Sequence, residues 1–206
     1  MREPEKSKPS RLLKVDMHVH THPYSPCSTT TAHEAIEAAI NSGIDVLVFT
    51  DHDTIWSQNE IEDLQQWAGA QLRLLAGIEV SCLEGHFLVY GLDKVEGLRY
   101  NMSAHDLIHI ARRHSAAVVV AHPFRFSMEN GKYCYKLDVD AVEVDSSNTT
   151  QTARQYAEKL AQDRDLPRIF ASDAHSPRDV GSYYTLLQPP IDTISDLIRE
   201  IKKAKP

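Results

Sequence analysis

Histidines stand at alternate positions, His18, His20 and His22, in the segment VDMHVHTHPYSPCS from Val15 to Ser28. On an extended strand that spacing puts the imidazoles on one face. Leu12, Leu13 and Val15 provide an apolar lead-in, and Pro23 with Ser25-Pro26 ends the run. Two or three imidazoles aimed at one point beyond a strand end are suited to metal binding. One HxH alone fits a solvated strand end equally well. The argument comes from recurrence: Asp51-His52-Asp53, Glu79, His122 and Asp173-Ala-His175 each close an apolar run, and His86 opens one. Imidazoles and carboxylates without a thiolate set suit zinc, manganese or iron rather than a cysteine-rich structural zinc. The candidate ligands are therefore His18, His20, His52, Glu79, His86, His122, Asp173 and His175, too many for a single tetrahedral site. Two or three divalent ions follow, with Glu79 as the bridge because a carboxylate has an oxygen for each.

The elements that must position these groups alternate along the chain. Thr31 and Glu34 form a capping-box signature ahead of the stripe Ala35, Ile36, Ala39 and Ile40. Ile44 to Thr50 is a continuous β-branched run, as expected of a strand covered on both faces. A helix is expected near 56–69, a strand from Leu72 to Val80, and a strand from His86 to Leu92. Only about five residues separate these two strands, too few for a parallel crossover, so a hairpin at Glu84-Gly85 with an antiparallel second strand is expected. Ser103 is expected to cap a helix through Leu107, Ile110 and Ala111. Strands follow at 116–121, 140–144 and 168–172, with a helix over 149–163 before the last. The stripe Ile194, Leu197, Ile198 and Ile201 predicts a closing helix. The whole reads as α/β, with functional groups collected at the C-terminal rim of a barrel-like sheet.

Composition bounds the rest. At 206 residues with 42% apolar and 25% charged residues, the chain is expected to form one globular domain over 12–206 behind a flexible tail, 1–11. No apolar run approaches a membrane span, and the polar N-terminus lacks a secretory signal's apolar stretch. Three scattered cysteines give no disulfide framework, which favours a reducing cytoplasm. A net charge of −7 argues against a broad grip on long nucleic acid, but bound cations would still permit an anionic substrate. A small phosphorylated substrate or a nucleotide is the expected partner.

The segments Asp16-Met-His18-Val-His20-Thr, Thr50-Asp51-His52-Asp53, Gly77-Ile-Glu79, Gly85-His86, Ala121-His122-Pro123 and Ser172-Asp173-Ala-His175 together resemble the PHP (polymerase and histidinol phosphatase) family of metal-dependent phosphoesterases, in the family's order and over nearly the whole chain. The resemblance implies a distorted (β/α)7 TIM-like barrel enclosing up to three metals. It assigns His18, His20, Glu79 and Asp173 to a first ion, His52 and His175 to a second, and Glu79, His86 and His122 to a third. The chain departs from the pattern after the HxH: where the family places another Asp or His, it has Ser25-Pro26-Cys27-Ser28. His22, Cys27 or water then completes the second site.

The chemistry expected is hydrolysis of a phosphomonoester or phosphodiester through a metal-bound hydroxide, with no protein nucleophile. Glu79, Asp173 and His175 would act at the reacting centre, Asp51 and Asp53 would orient ligands or shuttle protons, and Asp16 would support His18. Arg125 and Arg178, in rim loops, are candidates for holding substrate phosphate. His105 and His109 share a helix face but lack a third ligand, so a surface role is expected. Two alternatives stand beside this reading: an amidohydrolase-type metal hydrolase, disfavoured by Glu79 in place of a mid-barrel lysine, and a non-catalytic, metal-stabilised domain.

Overall fold

The computed structural model describes residues 11–95 and 97–203. Most of the expected tail therefore lies outside the described residues; Arg11, at its end, is ion-paired to Asp45 at 2.6 Å. The chain runs β1 (Leu13–Val19), α1 (Ala32–Asn41), β2 (Val46–Phe49), α2 (Gln58–Ala68), β3 (Arg73–Ala76), β4 (Ile78–Cys82), β5 (Gly85–Tyr90), α3 (Ala104–Arg113), β6 (Ala117–Val120), α4 (Met128–Tyr133), β7 (Ala141–Asp145), α5 (Gln151–Asp163), β8 (Arg168–Phe170), β9 (Thr185–Leu187) and α6 (Ile194–Lys203). The expected caps are present: Thr31 and Glu34 close a capping box on α1, and Ser103 accepts from the Asp106 amide on α3; Ser57 and Glu60 close a further capping box on α2. The β4–β5 hairpin is antiparallel, pairing Cys82 with Gly85. Among the described residues no helix is long and apolar enough to cross a membrane.

The strands form two hydrogen-bonded sheets, ordered β3-β2-β1-β9 and β4-β5-β6-β7-β8, not the single seven-stranded ring that the family resemblance implied. The reason is local. The strand expected over 72–80 is interrupted at Gly77, so β3 pairs with β2 while β4 pairs with β5. A Cβ at Gly77 would meet the Tyr90 ring at 2.7 Å, which explains the glycine. Single contacts stitch this seam: Gly77 N to Phe49 O at 2.8 Å, and a lone bridge between His52 and Glu79. The other seam is held by a Val19–Ala174 bridge and by the buried Asp16 carboxylate, which accepts from Ser172 N and Gly181 N. Burial pushes the Asp16 carboxyl up to about 6, against the pull of those hydrogen bonds.

An inner core between the sheets contains Val15, Met17, Val48, Leu88, Val119 and Ala171, and α6 contributes Leu197 and Ile201 to it. On the outer faces, α1 and α2 cover the first sheet, while α3 and α5 cover the second. One irregularity matters for the site. The register between β1 and β2 shifts between Asp16 and Val19, and Val19 belongs to the outer cluster although Val15 and Met17 face inward. The slip inverts the alternation, which turns His18 and His20 inward at the strand end.

Candidate metal centre

Four side-chain atoms form a cage. His18 Nε2 lies 3.0 Å from His20 Nε2, 3.4 Å from Glu79 Oε2 and 3.5 Å from Asp173 Oδ1. His20 Nε2 lies 3.1 Å from Glu79 Oε2 and 3.3 Å from Asp173 Oδ1. Donors bound tetrahedrally at 2.0–2.1 Å to one cation would stand about 3.3–3.4 Å apart, and these five separations, 3.0–3.5 Å, are of that size. All four residues are buried. Glu79 Oε2 and Asp173 Oδ1 have no hydrogen-bond partner, and neither does His52 Nδ1 beside them. Buried carboxylate oxygens left in this way cost several kcal/mol unless a cation satisfies them.

The remaining ring nitrogens explain why Nε2 is the free donor on these histidines. His18 Nδ1 is 2.8 Å from Glu143 Oε1. His175 Nδ1 is 2.9 Å from the Asp173 carbonyl. His20 Nδ1 is 3.2 Å from Ser25 Oγ, whose proton goes to Asp51 Oδ1 and which also accepts from His52 N. Each Nδ1 must therefore donate, leaving an Nε2 lone pair for a ligand; the tautomers follow from these partners. Asp173 is oriented similarly, because Arg125 Nη1 and Asn148 Nδ2 both donate to Oδ2, at 2.7 and 2.9 Å, and leave Oδ1 free.

Glu79 is the hub. Besides its contacts in the first cage, Oε2 lies 3.1 Å from His52 Nδ1, while Oε1 lies 3.0 Å from His86 Nδ1 and 3.1 Å from His122 Nε2. Its two oxygens thus face different imidazole groups, as a bridging carboxylate requires. His20, His52 and His175 form another close set, as do His52, Glu79 and His86. Burial alone would push the His18 imidazole down, but Glu143, Asp173 and Glu79 outweigh it and hold the ring well above its usual value. Burial would raise the Glu79 carboxyl, yet His18, His122 and His20 hold it well below the usual carboxylate range. His52, whose ring is half-buried among other imidazoles, is pushed down to about 4 by burial. Such a field, favouring positive charge at the centre and neutral rings at its edge, suits a cation.

All eight expected ligands are therefore brought together. Other expected site residues are placed differently. Asp51 faces away from the cage, its carboxylate saturated by Thr21 N, Thr21 Oγ1, Ser25 Oγ and Trp56 Nε1. Asp53 accepts from Ser81 N and so fastens the seam. His22 is exposed, because the chain turns at the His22–Pro23 peptide and ends the alternation. Neither His22 nor the exposed Cys27 joins a ligand cluster. Arg125 reaches the cage edge, whereas Arg178 is exposed on the loop after His175. His105 and His109 are exposed on α3. Sequence reasoning missed Glu143. Fully buried in β7, it bonds His18 through Oε1 and accepts from His122 N through Oε2 at 2.9 Å. Its signal was a charged residue between two valines, in alternation with Asp145. Ser25 and Asn148 were missed too, and no local pattern marks them.

A family model described as PHP-associated (PHP_C) matches residues 151–206. The fold is similar to a two-domain protein containing a predicted PHP-like metal-dependent phosphoesterase from Bacteroides vulgatus, with a TM-score of 0.70 and 17% identity over all of this chain and 68% of that one. The fold is that of a PHP-like domain. The chain is also similar in fold to Endonuclease Q in a complex with a 27-mer duplex substrate carrying an abasic lesion, at TM-score 0.66 and 17% identity over 93% of this chain and 57% of that one. An amidohydrolase from Chromobacterium violaceum, with bound sulfate, matches at TM-score 0.66 and 16% identity over 90% of this chain and 95% of that chain. In sequence, an uncharacterized protein of Methanocaldococcus jannaschii is 27% identical over 64% of this chain and 81% of its own length.

Proposed function

We propose that this chain is a PHP-family domain and a metal-dependent phosphoesterase acting on a small phosphorylated substrate or nucleotide. The observation that carries the reading is the four-atom cage of His18, His20, Glu79 and Asp173, with its two unpartnered carboxylate oxygens. On this reading the same four residues hold the first ion, His52 and His175 a second, and Glu79, His86 and His122 a third. The donor set favours zinc, manganese or iron. Divalent cations there would polarise the phosphoryl oxygens and make a water acidic enough to attack at neutral pH. The chain's own residues do the rest. Arg125, paired through Nη1 to Asp173, keeps other guanidinium nitrogens to bind a phosphoryl oxygen. Glu143, Ser25 and the Asp173 carbonyl hold the imidazoles in the ligating tautomer. Ser25 in turn rests on Asp51, which gives that carboxylate a positioning role.

The two sheets are read as an opened (β/α)7 barrel with the cage at its C-terminal rim, and residues 12–206 as one domain. Three free cysteines, two of them buried, support a reducing, cytoplasmic setting. The sulfate bound to the Chromobacterium protein of similar fold supports an oxyanion as the recognised group. The test is metal analysis of the purified protein, joined to a screen of phosphomonoesters and phosphodiesters against amides and lactones, with Mn, Zn and Fe supplied. Turnover confined to phosphate esters is expected. Turnover of amides or lactones would favour the amidohydrolase reading, and metal uptake without any turnover would favour a structural one.

A further inference from the structure

The segment between the ligand His122 and α4 carries two phenylalanines with opposite fates. Phe124 is turned inward, against Gly131 and the Tyr156 ring. Two residues later Phe126 is 68% exposed. It is not on a loose loop. Arg125 N donates to His122 O at 3.0 Å, the His122 amide is tied to Glu143, and Ser127 caps α4 by accepting from Asn130 N at 3.2 Å. The segment is fastened at both ends and in the middle. Phe126 is thereby fixed at the rim of the metal centre, its ring centroid 5.6 Å from that of His122 and 5.7 Å from that of His86. The Arg125 guanidinium lies 4.7 Å from the Phe126 centroid while its Nη1 holds Asp173.

Nothing in the fold requires this ring outside, since burial would stabilise an aromatic side chain and exposure forgoes that gain. Its neighbours state a use. A phosphoryl group within reach of the cage and of Arg125 must extend its ester substituent out of the cage, and Phe126 stands at that edge beside the arginine. We propose that Phe126 is the surface on which the substrate's alcohol portion stacks, so that the site prefers phosphoesters whose alcohol carries a planar ring. The inference rests on the phosphoesterase reading and adds a substrate class to it. Arg125 then serves twice, as the cation near the phosphate and as the group that holds the phenyl ring in place.

The test compares benzyl phosphate with cyclohexylmethyl phosphate, whose leaving alcohols are alike in size and acidity but differ in planarity. In the metal-loaded protein, kcat/KM is expected to favour the benzyl ester by about three- to tenfold. Phe126→Leu should bring that ratio close to one, and Phe126→Trp should preserve it. Calorimetric binding of benzylphosphonate and cyclohexylmethylphosphonate reads the same preference without turnover. Hydrolysis of both esters at equal kcat/KM, with a ratio that Phe126→Leu does not change, would overturn the stacking inference and leave the phosphoesterase reading standing. A Phe126-dependent preference among the phosphonates without hydrolysis of either ester would support the stacking surface and overturn the catalytic reading. Failure to hydrolyse or bind any of the four compounds would overturn both.

Discussion

Glu143 supports two candidate ligands with one carboxylate: it accepts from His18 Nδ1 and from the backbone amide of His122. A glutamine there can accept with one oxygen only, so its amide group must face either the His18 N–H or the His122 N–H. Glu143→Gln is therefore expected to weaken metal affinity about 10- to 100-fold, measured by competition with a chromogenic chelator. Unchanged affinity would remove Glu143 from the machinery. On the proposed reading Glu79 and Asp173 would act directly, through the oxygens that no hydrogen bond satisfies. Glu79→Gln and Asp173→Asn should each lower bound metal in elemental analysis and abolish phosphoester turnover. Full activity in either variant would defeat the assignment. At this scale the sequence was informative wherever a residue type is itself unusual at a strand end, as for His18, His52, Glu79 and His122. It was silent on Ser25 and Asn148, common polar residues that matter only because the fold brings them to His20 and Asp173.

Between elements, the two seams decide the architecture. Asp16 closes one of them by accepting from Ser172 N through Oδ1 and from Gly181 N through Oδ2, at 3.0 and 2.9 Å. Asp16→Asn would set an amide N–H against one of these backbone donors, and should destabilise the fold by about 1–3 kcal/mol. Urea unfolding should show a lower midpoint at an unchanged slope; a wild-type midpoint would show that the seam is closed by other contacts. A second packing point is Gly131 of α4, where a Cβ would strike the buried Phe124 ring. Gly131→Ala should cost about 1–3 kcal/mol in the same measurement, and no loss would mean that Phe124 has room to shift. Helices, strand ends and the hairpin at Glu84-Gly85 were legible because caps and apolar runs are local signals. The division into two sheets was not. It depends on the Gly77 interruption and on the register slip after Asp16, both set by packing between segments distant in sequence. The short β9 and α4 were missed for a related reason: three and six residues carry too little periodicity to announce themselves.

For the molecule as a whole, the candidate metal centre is also a junction. His18, His20 and His52 come from the first sheet and its following loops, while Glu79, His86, His122 and Asp173 come from the second. Binding a cation would therefore add a tie between two sheets that share a packed core but are hydrogen-bonded to each other only through isolated bridges and single contacts. A cation at about 100 times its dissociation constant adds about 2.7 kcal/mol, and a chain of this size gains about 2–4 °C per kcal/mol. Chelation should lower Tm by about 5–10 °C in calorimetry, with recovery on adding back Mn or Zn; an unaltered Tm would sink the junction. There is a consequence for biosynthesis. Asp173 and His175 are translated last among the ligands, 94 and 96 residues after Glu79. A nascent chain on the ribosome therefore carries the hub long before it has the residues that finish the cage, so the cage cannot close around a cation until synthesis has passed His175.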